Sequence, residues 1–413
     1  MQIYYDNTVL EHFIPVAYEE LFDDLVDHFK LESATYAPFS DALRLLFHHR
    51  FYTKLTALKA RYRPFNPDSD LISLRQYTSS EYARLQEELI ASVTPLLERA
   101  NYEELTYENL HAAMNRTSPY GVEVSVDFED FEEMLLFFRG EAHRYDERRS
   151  WRSLYLKKER IRVDVYRRLF ILLKPKRLEV RAQEIAAKEG RSVTRVLASL
   201  RKKNDVLLDA DGSECIYMKL FKDIPHADLE MLFPNTQVKM TLKDKLKIAV
   251  TGGGGTIGGL ATFMTKLGTL MDPLSLVAAV GAFGGVLWRQ VKTVFTHRTR
   301  YMARLAQNLY FYNLDNNIGV VTHLVDMAES EESKEALLAY FFIFQSVQPL
   351  CRDALDKSIE AYMRSTYGIA VDFEVEAGVA KLLELGLVTE AEQCLQALNV
   401  ADALVRLKEL NAV

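Results

Sequence analysis

At 413 residues the chain can bury a sizeable core in two or three domains, and its apolar, aromatic and charged fractions of 48%, 11% and 26% exclude a disordered or low-complexity polymer. A formal charge of -7 argues against a chain-wide binder of nucleic acid, although local basic stretches still act on their own surroundings. The three cysteines, Cys215, Cys351 and Cys394, are far apart and form no CxxC. They suggest neither a disulfide framework nor a zinc cluster, and they place the folded parts in a reducing compartment.

The opening MQIYYDNTVLEHF has no basic start before an apolar run, so it predicts no N-terminal targeting signal. From Ser40 to Tyr62 the residues Leu43, Leu46, Phe47, Phe51, Leu55 and Leu58 recur at three- and four-residue spacing. That spacing predicts a core-facing helix, with Ser40 as N-cap and Pro64 as stop. A second helix is expected from about Ser80 to Arg99, opened by the capping-box pair Thr78 and Glu81 and kinked or ended early at Pro95. PFNPD, Pro64 to Asp68, reads as a rigid loop between them.

From Gly121 the period changes to two. Val122, Val124 and Val126 alternate with polar residues, as do Ile161, Val163 and Val165. The runs LFILL (Leu169 to Leu173) and CIYMKLF (Cys215 to Phe221) add two strand candidates. Ala182 to Lys203 interrupts them with a pattern that places Ile185, Ala186, Gly190, Val196 and Leu200 where a helix-turn-helix puts its core and turn. Its cations Arg191, Arg195, Arg201, Lys202 and Lys203 suit anionic lipid headgroups as well as DNA phosphates, and a plain amphipathic pair is the simplest reading. A second basic run, from Arg144 to Arg162 around Trp151, reads as a salt-bridged surface or a headgroup contact.

Two stretches without charge, 248–265 and 273–288, flank a short connection holding Lys266 and Asp272. They predict a helical hairpin in a membrane, each run somewhat short of the roughly 20 residues that cross a hydrocarbon core. Lys245 and Lys247 before the hairpin and Trp288, Arg289 and Lys292 after it are the expected interface anchors, and the excess of cations outside the loop puts both termini in the cytoplasm. Gly252, Gly254, Gly255, Gly258 and Gly259, with Gly281, Gly284 and Gly285 opposite, would let helices pack closely within the hairpin or between subunits. The same cluster contains Gly253-x-Gly255-x-x-Gly258 after an apolar IAV, which matches the dinucleotide fingerprint, but no second strand ending in an acid follows at the required distance.

After the hairpin, Lys334 to Phe344 (KEALLAYFFIF) is apolar nearly all round but too short to span a bilayer, which predicts burial in a helical core. Leu355 to Val388 reads as helix, stop at Tyr367-Gly368, short IAVDF strand and helix closed by Gly386, a winged-helix-like order. The nine histidines are scattered without metal-ligand spacing, and no GxSxG elbow or Walker loop is present, so no catalytic residue, metal or cofactor is assigned. Asp228 and Glu230 in ADLEML, two positions apart, do not form a carboxylate pair. Pro225 and Asp228 are instead expected to open a short helix that docks the strand domain at the membrane.

Six segments, HFIPV (12–16), PFNPD (64–68), FFRGE (137–141), FKDIPHADLEMLFP (221–234), LYFYNLDNNIGV (309–320) and KEALLAYFF (334–342), give the chain a resemblance to the transmembrane protein 143 family over most of its length. The resemblance implies a membrane protein with a late helical pair, in the form of a bacterial member, and carries over no catalytic residue. The expected fold is α+β and mostly helical. It comprises an N-terminal helical region (1–118), a small α+β domain (119–240, helical insertion at about 180–205), a membrane hairpin with basic flanks (241–300) and a C-terminal helical domain (301–413). The expected function is a membrane-anchored structural or interaction protein in the cytoplasmic membrane, self-associating through the hairpin, with lipid as partner, nucleic acid not expected and the small-molecule ligand unassigned. A nucleotide-binding enzyme at Gly252–Gly259 and an oligomeric pore stand as alternatives.

Overall fold

The computed structural model describes residues 3–4, 10–70, 77–106, 110, 123–149, 158–203, 214–235, 237–239 and 310–412 apart from 347, 349 and 393. After strand β1 (Ile3–Tyr4) come helices α1 (Tyr18–His28), α2 (Ser33–Tyr62) and α3 (Ser79–Arg99). The predicted stripe of α2 is buried through Leu43, Leu46, Phe47, Phe51 and Leu58. Its start at Ser33, however, lies about two turns earlier than expected. The helix runs through Pro38, and Ser40 is buried with its hydroxyl on Tyr18 Oη at 3.1 Å instead of capping. The Thr78–Glu81 capping box is formed on both sides, and α3 continues past Pro95 to Arg99.

The sheet follows: β2 (Glu103–Glu104), β3 (Glu123–Ser125), β4 (Phe131–Arg149) and β5 (Lys158–Pro175), then helices α4 (Leu178–Glu189) and α5 (Val193–Lys203), and strands β6 (Tyr217–Pro225), β7 (Gln237–Lys239) and β8 (Asn313–Asn316). The order is β1-β4-β5-β6-β8, all antiparallel, with β2 also on the outer edge of β4, while β3 and β7 form a separate pair. Residues 161–165 and LFILL prove to be one strand, β5, and β4 is a strand that its Glu, Leu and Met content does not announce. Alternation decides the two faces. Phe137, Phe170, Leu172, Met218 and Leu220 face the helices, whereas Leu136, Leu169, Ile171, Leu173 and Phe221 face a second core closed by the 3-10 helix His226–Leu232. Pro225 precedes that short helix as expected, but its Leu229 and Leu232 are buried against the sheet rather than directed at a membrane.

Helix α6 (Ile318–Gln345) is the axis of the molecule, followed by α7 (Arg352–Tyr367), α8 (Val375–Leu385), the hairpin β9 (Val388–Ala391) and β10 (Cys394–Ala397), and α9 (Val400–Asn411). Gly368 and Gly386 end α7 and α8 in the left-handed conformation, at φ 67° and 70°. Residues of α1, α2, α3, α7, α8 and α9 share one apolar core with α6, including Phe39 stacked on Tyr340 at 4.2 Å. The Lys334–Phe344 run is buried within it, as its composition demands. The first residue of α6 is set by Asn317, whose amide donates to Asp68 Oδ2 at 2.5 Å and whose Oδ1 accepts from Tyr62 Oη and the Met218 N–H, both at 3.1 Å.

The expectation of a two-span protein in the bacterial cytoplasmic membrane is corrected. Among the described residues no helix is long and apolar enough to cross a membrane. Helices α2 and α6, with 30 and 28 residues, have the length but not the composition: α6 carries Asp326, Glu329, Glu331, Glu332, Lys334 and Glu335, and its apolar side chains meet protein. The runs 248–265 and 273–288 lie outside the described residues. So do Gly252, Gly254, Gly255, Gly258, Gly259, Gly281, Gly284 and Gly285, and the anchors Lys245, Lys247, Trp288, Arg289 and Lys292.

Candidate functional site

Midway along α6 the apolar pattern breaks into Glu331-Glu332-Ser333-Lys334-Glu335, five consecutive polar residues, each at most 6% exposed. Successive helical residues turn by about 100°, so such a run faces every direction and demands polar partners on all sides. The partners come from four separate parts of the chain, and they divide into a sealed side and an open side.

On the sealed side Glu331 and Lys334 form an i,i+3 pair at 2.6 Å. Together they grip both backbone groups of one residue of the segment 11–16: the Ile14 N–H donates to Glu331 Oε2 at 2.9 Å, and Lys334 Nζ donates to the Ile14 carbonyl at 2.5 Å. Arg139 of β4 adds a third donor to Glu331 at 2.8 Å. The guanidiniums of Arg139 and Arg167 lie over the Phe13 ring, 4.3 and 4.9 Å from its centre, and Arg167 donates to Glu11 at 2.6 Å. Gly140 follows Arg139 at φ +70°, where a Cβ would stand 2.8 Å from Phe13 and 2.9 Å from Glu11 Oε2. The backbone of Glu11 is in turn bound between Ala370 and Asp372. HFIPV, FFRGE and the start of KEALLAYFF thus meet at one buried charge network. Burial raises the Glu11 carboxyl above its ordinary range, and desolvation lowers Lys334 despite Glu331 beside it.

On the open side Glu332 pairs with Arg99 at 3.2 Å and Glu335 with Lys381 of α8 at 2.5 Å, with the Asn101 amide 3.4 Å from Glu335 Oε1. These groups floor a cleft of about 980 Å³ between α2, α3 and α8, whose walls include Arg50, Phe51, Lys54, Glu98, Glu374, Ala377, Ala380 and Glu384. Arg50 and Glu384 bridge it at 2.9 Å. Desolvation pushes Glu335 up to about 7, helped by the nearby Glu331 and Glu374 and opposed by Lys381. Lys54, its ammonium 4.4 Å from the Phe51 ring centre, is lowered by desolvation and then by Arg99. Among the described residues no Cys, His or Ser lines the cleft, and the lining hydroxyl of Thr53 donates to the His49 carbonyl at 3.1 Å. The arrangement can recognise charge and exchange a proton at Glu335.

The basic residues predicted as a surface divide in the same way. Arg191, Arg195 and Arg201 are exposed on α4–α5, with Lys202 and Lys203 closing α5; Arg191 pairs with Glu189 at 2.9 Å. The two helices turn at left-handed Gly190 and share a core of Ala182, Ala186 and Val196. Arg181, which sequence adds to that basic surplus, is buried instead and holds Asp127, Glu129 and Asp130 at 2.7 to 3.0 Å. Arg144 is buried as well and donates to Tyr312 Oη at 2.9 Å, while Arg160 and Arg162 are exposed. On the second face of the sheet, His226 stacks on Tyr166 at 3.9 Å, Asp228 is buried and half-buried Glu230 is raised to about 7 by desolvation. Among the described residues no group of three or more His, Cys, Asp or Glu is placed to hold a metal ion.

Sequence reading missed the charge network and the cleft. The signal was present as EESKE, a polar run inside an otherwise apolar helical segment, but its partners lie up to 320 positions away.

Residues 131–319 match a family described as a protein of unknown function (DUF3754). The match spans β4 to the first residues of α6 and so contains Arg139, Gly140, Arg167 and Asn317, but neither the Glu331–Glu335 run nor the walls of the cleft. No solved structure matches the chain.

Proposed function

We propose that the chain is a structural or interaction protein whose recognition site is the cleft over Glu332 and Glu335. One observation carries this reading: the charged walls are held in place by their own ion pairs, Arg50–Glu384, Arg99–Glu332 and Lys381–Glu335, before any ligand arrives. Charges fixed in advance lose little entropy on binding and discriminate partners by sign and position.

Two finer readings belong to the same proposal. The relationship to the transmembrane protein 143 family rests on the six sequence segments, of which HFIPV, FFRGE and KEALLAYFF share one buried network. The winged-helix-like end is supported by the order α7, α8, two-stranded hairpin β9–β10, α9. Self-association and the nucleotide alternative rest on glycines outside the described residues and gain no support here.

The test is to fill the cleft. Ala380→Trp places an indole on its α8 wall, at an exposed position, and an unchanged melting temperature without ligand is its folding control. In a thermal-shift screen of small polar compounds, a true ligand at about 100 times its Kd adds about 2.7 kcal/mol of stability to the natural protein. That gain should vanish in the Ala380→Trp variant. If every stabilising compound acts equally on both proteins, the cleft is not the recognition site.

A further inference from the structure

Once the mutually paired charges of the cleft are set aside, a definite remainder is left. Among the described residues Lys54 is the lining cation without an ion pair, and Glu98 and Glu374 are lining carboxylates without one. Lys54 is nevertheless held, with its ammonium over the face of Phe51, and its positive charge is disfavoured there by Arg99 and by desolvation. An incoming carboxylate would offset both effects by direct attraction. Glu374 and Glu98 supply the opposite complement, two acceptors suited to an ammonium. Phe51, Ala377 and Ala380 add apolar surface to the lining.

Resting on the recognition role of this cleft, we infer that its ligand is a zwitterion carrying a primary ammonium and a carboxylate, of amino-acid to short-peptide size, with the carboxylate at Lys54 and the ammonium at Glu374 and Glu98. A simple anion would satisfy Lys54 but bring its charge against two carboxylates. A simple cation would satisfy those carboxylates and leave Lys54 with the Phe51 ring and the already paired Glu332 and Glu384. Either mismatch desolvates a charge without a partner, whereas a ligand with both signs leaves none. The volume of about 980 Å³ lies at the upper end of small-molecule sites, which favours a peptide of a few residues or an amino acid with a large side chain.

The experiment uses the full chain and three matched sets of probes: free amino acids and dipeptides, their N-acetyl derivatives, which keep only the anion, and their methyl esters, which keep only the cation. Calorimetry should show the unmodified zwitterions binding most tightly. Lys54→Met should weaken them by about tenfold or more, as expected for a hydrogen bond to a charged group, and leave the esters unchanged. Glu374→Gln should weaken zwitterions and esters alike and spare the N-acetyl compounds. Each variant replaces an exposed side chain, so an unchanged melting temperature without ligand serves as the folding control. Zwitterion affinity that equals that of the esters or N-acetyl compounds, or that survives Lys54→Met, overturns the inference. If single-sign probes bind and Ala380→Trp abolishes their binding, the cleft remains a recognition site and only the zwitterion is wrong. If no probe binds in a way that Ala380→Trp removes, the inference falls together with the reading it rests on.

Discussion

The two sides of the α6 midpoint use the same residue types to opposite ends. Glu331 and Lys334 are 1% and 4% exposed and have partners from β4 and the 11–16 segment, so their charges are consumed in joining the sheet to the helices. Glu332 and Glu335, one and four positions after Glu331, are equally buried, but their partners Arg99 and Lys381 reach from the walls of a cleft. A buried charge serves as an internal fastener when all its partners are also buried. It serves as a preset contact point when a partner remains in reach of solvent. The difference lies in the partners and not in the residue.

The largest effect that separates these roles is expected from removing one carboxylate on each side. Glu331→Ala removes the carboxylate shared by buried Arg139, Lys334 and the Ile14 N–H, and should cost about 3–5 kcal/mol. Glu332→Ala releases Arg99, which is 49% exposed, to solvent and should cost about 1 kcal/mol or less. Urea unfolding of both variants measures the contrast. Equal losses would show that the two sides are not physically distinct.

Glu335 sharpens the comparison through pH. Its folded carboxyl titrates at about 7 against an ordinary 4.5, so between those values the folded chain holds a proton that the unfolded chain has released. Stability from this group is complete below about 4.5 and is lost as pH rises to about 7, a change of about 3 kcal/mol at 1.36 kcal/mol per unit. Glu335→Gln, which does not titrate, should abolish that slope. The wild-type and variant unfolding energies should therefore diverge with rising pH, and parallel curves between pH 4.5 and 7 would show that desolvation at Glu335 is weak.

How much of this could be read in advance depends on how local the cause is. The stripe from Leu43 to Leu58, the Thr78–Glu81 cap and the period-two runs of β3 and β5 were legible, because each is decided by neighbours within a few positions. Strand β4 was not. MLLFF and its glutamates suit a helix, and only pairing along the length of β5 makes them a strand. The fate of individual cations was equally hidden: Arg144 and Arg181 look like surface residues in sequence, and each is buried by a partner supplied by the fold. The membrane expectation arose from local composition at 248–288, and nothing in the described helices supports it. The cleft, assembled from α2, α3, α6 and α8, has no local signature at all.

Gly140 tests the sealed side without touching a charge. At φ +70°, with Phe13 and Glu11 Oε2 both within 3 Å of where an added methyl would stand, Gly140→Ala must strain the backbone and push Phe13 from between the two guanidiniums. The expected loss is about 1–3 kcal/mol. Gly190→Ala is the control, since it has a similar φ of +65° and open space around it, so it reports the backbone cost alone. A Gly140 variant no worse than the Gly190 variant would show that the 11–16 segment yields easily.

The smallest effect belongs to the rim of the cleft. Arg50 and Glu384 pair at 2.9 Å but are 38% and 66% exposed, so a double-mutant cycle on Arg50→Ala and Glu384→Ala should return about 0.2–1 kcal/mol of coupling. That coupling should fade toward zero as salt rises to about 1 M, where screening acts over about 3 Å. The Arg139–Glu331 pair, at 10% and 1% exposure, should keep most of its coupling in the same salt. Salt resistance at the rim would mean that Arg50 and Glu384 are shielded as the sealed network is, and that the cleft is closed to solvent rather than open to a ligand.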